Sequence, residues 1–240
     1  MDRFEQDLEV LLARLTGDLP EDAAVKLRHL RDRLVELQKE NVVKINHSVM
    51  ELVCAKYLVL KGYDVQVEHP LDEVLTCDLY GVKGYGNLVV EIETGFIPPD
   101  HALDPSTYTS ARLASKIIRY SSFAGKFALG VPPHYVLPFP QALALPPKKR
   151  SAEDLDSIKL LCDLYYHNPP VTEEQVREAR IHEILVVDVD RLVVRSLNPE
   201  AYIKRALHKG FFNGLTADGI LSLVKSIASF ESSAGKSSRM

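Results

Sequence analysis

Cysteine is scarce in this chain and poorly spaced for chemistry. Cys54, Cys77 and Cys162 lie far apart, form no C-x-x-C pair and match no zinc-ligand spacing. A zinc ribbon and a disulfide framework are therefore excluded, and the three thiols are expected as buried packing residues. That usage suits a reducing cytoplasm, the expected location. Long apolar runs are also missing: none approaches the roughly 20 residues needed to span a bilayer. The opening MDRFEQDLEV is charged throughout, unlike a signal peptide, so no membrane partner is expected. Positive charge is not in excess either. A formal net charge of −4 argues against a nucleic-acid coat protein, although an enzyme can touch nucleic acid through a local patch while its metal site stays acidic. No phosphate-loop or dinucleotide fingerprint is present, and no internal repeat.

What is present suffices for a globular core. With 240 residues, 46% of them hydrophobic, the chain needs neither a disulfide nor a structural metal to fold. Residues 1–44 read as a helical hairpin. Phe4, Leu8, Leu11, Leu12 and Leu15 recur at helical spacing, GDLPEDA interrupts, and Leu27, Leu30, Leu34 and Leu37 form an a/d seam on the second helix. Asp18 is a candidate cap for that helix. The seam either packs on the chain's own core or makes a dimer contact.

Residues 45–210 read as an α/β core with C-terminal additions. A helix is expected from about Ser48 to Lys61, ending at Gly62. Strands follow at YDVQVEHPL, CDLYGV and NLVVEIET, then a helix in TYTSARLASKIIRYSSFAG and a strand in KFALGVP. From Val131 to Pro147 six prolines require an extended path, expected on the surface. Helices near 152–166 and 173–180 precede a hairpin, EILVVDVD and RLVVRSL. Residues 211–240 read as an amphipathic helix (Ile220, Leu221, Leu223, Val224, Ile227) and a flexible tail.

The acidic residues fall at informative places in this order. Glu91 and Glu93 are two apart on a strand and share a face, in an otherwise apolar run where carboxylates are costly unless compensated. If the preceding hairpin turns at Gly84-Tyr85, Asp78 faces Glu91. If it turns at Tyr85-Gly86, Asp78 faces Glu93. Clustered carboxylate oxygens suit Mg²⁺ or Mn²⁺. Duller readings stand beside this one. Ser48-Val49-Met50-Glu51 can be a capping box, the strand acids can be the solvent face of an ordinary hairpin, and Arg112, Lys116 and Arg119 can be a solvated helix stripe. His47, His69, His101 and His134 show no ligand spacing and read as surface or loop histidines.

Asp78, then Glu91-Ile92-Glu93 after a hairpin, with Glu51 on the preceding helix, resembles the PD-(D/E)XK superfamily of nucleases, which includes type II restriction enzymes and archaeal Holliday-junction resolvases. The resemblance covers about residues 45–132. It implies a restriction endonuclease-like α/β core, a mixed central sheet flanked by helices, here with the N-terminal hairpin added. It further implies Mg²⁺ (or Mn²⁺) held by Asp78, Glu91 and Glu51, with the carbonyl of Ile92 assisting, and cleavage of nucleic acid, DNA ahead of RNA. A homodimer would present two such centres to the two strands of a duplex. The chain departs from the family at Glu93, where lysine is usual. Some restriction enzymes have glutamate there, and in other members the next helix supplies the lysine, for which Lys116 is the candidate. Arg112 and Arg119 on the same stripe would face phosphate. Independently of the resemblance, the position of the Pro98–Pro105 loop beside Glu93 in the chain suggests that it gates or contacts substrate. The alternative is a catalytically inactive nuclease-like fold serving as a nucleic-acid-binding or scaffold module. A protein binding a small phosphorylated ligand ranks last.

Overall fold

A side-chain cap opens the first helix: Asp2 accepts a hydrogen bond from the Glu5 N–H at 2.8 Å, satisfying one of the free donors of the first turn. The structure is a computed structural model that describes residues 2–208, 216–222, 224 and 225. Helix α1 (Arg3–Thr16) is followed by α2 (Glu21–Lys39), which starts after Pro20 with no side-chain cap, so Asp18 does not take that role. Prolines at helix starts need no N–H partner, and Glu21 and Asp22 in the first turn suit the helix dipole. Leu27, Leu30, Leu34 and Leu37 are all buried, in one cluster with α1 and with helix α3 (Ile45–Leu60). The a/d seam is thus used within the chain and is not a dimer contact. Gly62, at φ +84°, lets the chain leave α3, its N–H donating to the Val59 carbonyl at 2.9 Å.

The fold is α/β, with a mixed six-stranded sheet flanked by helices. Its strands are β1 (Asp64–Pro70), β2 (Thr76–Lys83), β3 (Gly86–Ile92), β4 (Lys126–Val131), β5 (Glu183–Asp188) and β6 (Val193–Leu197), side by side in chain order. β1–β2, β2–β3 and β5–β6 pair antiparallel, while β3–β4 and β4–β5 pair parallel. The β2–β3 turn is Gly84-Tyr85, flanked by the pair Lys83↔Gly86, and Gly84 supplies the positive φ (+60°) that a two-residue hairpin turn demands. β3 and β4 run apolar (Leu88 to Val90, Phe127 to Leu129), as expected of parallel strands buried on both faces.

The chain divides into two units that do not follow chain order. The first comprises residues 1–94, 123–135 and 182–198 and holds α1 to α3 and the whole sheet. The second comprises 95–122, 136–181 and 199–240 and holds α4 (Pro105–Tyr120), α5 (Ala152–Asp163), α6 (Glu173–Glu178) and α7 (Pro199–His208). In it α4 packs against α5 and α6. Helices α5 and α6 each begin with a full capping box, Ser151 with Asp154 and Thr172 with Gln175. Most of the helix and tail expected over 211–240, Leu223 and Ile227 included, lies outside the described residues. Among the described residues no helix is long and apolar enough to cross a membrane.

The proline-rich segment corrects the sequence expectation. Leu137, Phe139 and Leu143 between the prolines are fully buried, and short 3-10 turns form at Gln141–Ala144 and Pro147–Lys149. A buried irregular backbone needs donors for its carbonyls, and Arg150 provides them. Its guanidinium donates to the carbonyls of Ala142 (2.8 Å) and Leu145 (3.0 Å) in this segment and to those of Val176 (3.1 Å) and Ala179 around the end of α6. Burial pulls its pKa down to about 10. Lysine cannot reproduce this fan of donors from one plane. Arg150→Lys should therefore destabilise the protein by about 3 kcal/mol or more, since several buried carbonyls lose their partner together. Urea unfolding followed by circular dichroism measures this, and a loss below about 0.5 kcal/mol would contradict it.

Candidate metal centre

Helix α3 is nearly all apolar. Met50, Leu52, Val53, Cys54, Ala55 and Leu58 are buried, so the helix is seated in the core of the first unit and not on its rim. Glu51 is carried into the core with them and is 0% exposed. Neither of its carboxylate oxygens has a hydrogen-bond partner. The capping reading fails, because α3 begins at Ile45 with Lys44 at the cap position, and Ser48 is itself buried within the helix. Burial pushes the Glu51 carboxyl well above the ordinary range, and the negative charges of Asp78, Glu68 and Glu91 push it the same way.

Asp78 lies on β2 where the ladder with β3 changes character. Regular pairing ends at Leu79↔Val90, and the turn at Gly84-Tyr85 brings Asp78 level with Glu91, the first of the two registers anticipated. Beyond that point side chains replace the ladder carbonyls. The Asp78 N–H donates to Glu91 Oε1 at 3.1 Å, and the Ile92 N–H donates to Asp78 Oδ2. With Oδ2 engaged, Oδ1 lies 4.0 Å from His47 Nδ1. On the other side, β1 pairs Val67↔Leu79 and His69↔Cys77 but skips Glu68, which would be level with Asp78 and adopts φ +47°. Three carboxylates thus stand abreast on β1, β2 and β3.

His47, Glu51 and Asp78 each offer a ligand atom, all within 4.8 Å of one another. The group expected from the sequence was Glu51, Asp78 and Glu91. The structure brings the first two together with His47, while Glu91 braces Asp78 through its N–H. His47 had been read as a surface or loop histidine; it sits inside α3, four residues before Glu51, and that spacing puts both on one helix face. Glu68 was not among the residues expected at the site, because strict alternation in YDVQVEHPL places it with Asp64 and Gln66, on the face opposite Val65 and Val67. Glu91 and Glu93 are 3% and 2% exposed, so they are not the wet face of a hairpin. Glu93 follows the end of β3, and its N–H extends the parallel ladder to the Gly130 carbonyl at 2.7 Å. Among the other histidines, His69 stacks on Tyr80, and in the second unit His101 stacks on Tyr108 and lies 3.4 Å from Asp104.

Arg112, Lys116 and Arg119 belong to α4 in the second unit and are all partly buried, so the stripe is not a fully solvated face. Arg119 donates to the Pro169 carbonyl at 2.5 Å and lies over the Tyr166 ring. The three cysteines are buried, as expected of packing residues. The first unit holds a cleft of about 680 Å³ lined by Asn46 and Met50 of α3, Thr94 after β3, Pro133 and His134 after β4, and Asp188 at the end of β5, with none of His47, Glu51, Asp78 and Glu91 in its lining. It lies at the carboxyl ends of the parallel strands, where open α/β sheets receive ligands.

The donors present fit a divalent cation. A fully buried carboxylate with two unpartnered oxygens, surrounded by further acids, is stable either protonated or beside a positive ion. The sign of the proton linkage follows. A carboxyl whose pKa is higher folded than unfolded holds more protons in the folded state, so its stabilising effect is complete below the ordinary carboxylate range and is lost as pH rises through the Glu51 value. In chelator-treated protein, stability should fall as pH rises above the ordinary carboxylate range, and Glu51→Gln should flatten that slope and raise the melting temperature at the alkaline end. Thermal unfolding over that rise in pH tests it; parallel curves for the two proteins would contradict it.

Comparison with protein-family models, with curated proteins and with solved structures finds no match.

Proposed function

We propose that this protein is a metal-dependent nuclease that hydrolyses phosphodiester bonds in DNA, an endonuclease built on a restriction endonuclease-like core of the PD-(D/E)XK kind. The observation that carries this reading is Glu51, wholly buried with both oxygens unpartnered, meeting Asp78 and His47 near the start of β2. The element order α3, β1, β2, β3, α4, β4, with acids on α3, β2 and β3, supports the same reading.

His47, Glu51 and Asp78 would hold the ion, Mg²⁺ or Mn²⁺ on the family pattern. Bound there, it supplies an activated water and a Lewis acid for the phosphate. The chain's own residues fix the donors. The Ile92 N–H holds one oxygen of Asp78, Glu91 holds the Asp78 backbone, and the other Asp78 oxygen lies 4.0 Å from His47 Nδ1. We place a nucleotide-sized substrate in the cleft lined by Asn46 and Met50, the chain neighbours of His47 and Glu51 on α3. Glu93, in the place of the usual lysine, adds no positive charge, so a cation for the phosphate has to come from elsewhere. Cutting both strands of a duplex calls for two centres, which a homodimer would bring.

Glu93 also motivates a second reading, a nuclease-like module that binds nucleic acid without cutting it. Asp78→Asn separates the two without disturbing the fold, because the amide oxygen still accepts from the Ile92 N–H. Wild type should cleave labelled duplex, single-stranded or branched DNA when Mg²⁺ or Mn²⁺ is added, and Asp78→Asn and Glu91→Ala should each lose about 100-fold or more of that activity. Metal and DNA binding with no cleavage of any substrate would establish the module instead.

A further inference from the structure

We infer that His47 is a direct ligand of the metal and makes this centre selective for a transition-metal dication of the Mn²⁺ type over Mg²⁺. The inference rests on the metal-centre part of the proposed function and specifies which ion that centre takes.

The geometry leaves little else for His47 to do on this face. Its Nδ1 lies 4.0 Å from Asp78 Oδ1, too long for a hydrogen bond. Two donors about 2.1 Å from one ion are separated by roughly 3.0 Å when adjacent and about 4.2 Å when opposite. The observed spacing, and the 4.8 Å limit that includes Glu51, fall where a small adjustment closes three donors on one ion. His47 is four residues from Glu51 on a rigid, buried helix, so the two reach the same point without a loop having to order.

The donor set then chooses the ion. Mg²⁺ prefers oxygen ligands in a near-ideal octahedron and gives up water reluctantly, usually taking one or two carboxylates and keeping several waters. Here one donor is an imidazole nitrogen, and one carboxylate, Glu51, is 0% exposed, so an ion that meets it must shed water on that side. Imidazole with carboxylates suits the first-row transition metals, whose bond to nitrogen offsets the lost hydration. A partly exposed His47, its side chain 37% accessible, leaves the opposite side of the ion open to water and substrate.

The test is direct metal binding to the full chain, with no DNA present. Mn²⁺ is titrated into metal-free protein, free Mn²⁺ is read by electron paramagnetic resonance, and Mg²⁺ is added as competitor. Wild type should bind one Mn²⁺ per chain at least about tenfold more tightly than Mg²⁺. His47→Ala should lose about tenfold or more in Mn²⁺ affinity while Mg²⁺ affinity changes little, and His47→Asp, which makes the donor set all oxygen, should move the preference toward Mg²⁺. Equal affinity of wild type for the two ions, or unchanged Mn²⁺ affinity in His47→Ala, overturns the inference. The failure of the nuclease reading looks different. Selective Mn²⁺ binding that depends on His47, with no cleavage of any DNA, removes the nuclease and leaves the ligand assignment standing. Cleavage driven equally by Mg²⁺ in wild type and His47→Ala does the reverse.

Discussion

An ionisable group in the middle of a core helix sets the terms for everything around it. α3 has to be apolar on almost every side to fill the first unit, and that is what deprives Glu51 of water. An ionised carboxylate buried without a partner is destabilised by several kcal/mol. The surroundings give no relief, because the charged groups acting on it are Asp78, Glu68 and Glu91, all acidic. A core built this way has two acceptable states, protonated Glu51 or a cation beside it. The protein holds a carboxylate where folding alone would place a leucine.

The sheet supplies the rest of the centre by ending its own ladder. β3 is antiparallel to β2 and parallel to β4, so the pairing pattern changes across this one strand. At its carboxyl end the β2–β3 ladder stops, and Asp78 and Glu91 take over the hydrogen bonds that carbonyls would have made. The same bonds keep two acidic side chains from swinging into solvent. A positive φ at Glu68 interrupts β1 at the same level. Three strands thus become irregular together where the acids cluster. Irregular backbone of this kind carries some strain and is found most often at functional sites.

The second unit shows how differently a positive charge can be used. Arg150 looks in the chain like part of a surface basic triplet with Lys148 and Lys149, yet it is buried and serves as a hub for backbone carbonyls. Arg119, one member of the α4 stripe, donates to a carbonyl and covers an aromatic ring. Guanidinium groups suit this work because one plane offers five donors. Counting basic residues along the chain would overstate the charge available for a phosphate backbone.

The chain by itself determined the elements and their order, because period-two and period-3.6 patterns need only local residues. It also determined that Asp78 would be level with Glu91 or Glu93, because a two-residue turn leaves few registers. The helix start was harder to read. Placed at Ser48, it left His47 outside the helix; begun at Ile45, it brings His47 onto the Glu51 face. Tertiary structure alone decided that Glu51 is a buried donor and not a cap, since burial depends on what packs around a helix. It decided that Glu68 interrupts its strand, that Leu137, Phe139 and Leu143 draw the proline segment inward, and that Arg150 turns inward to meet it. Each of these depends on partners distant in the chain, and a local pattern carries no information about which distant groups will arrive to exclude water.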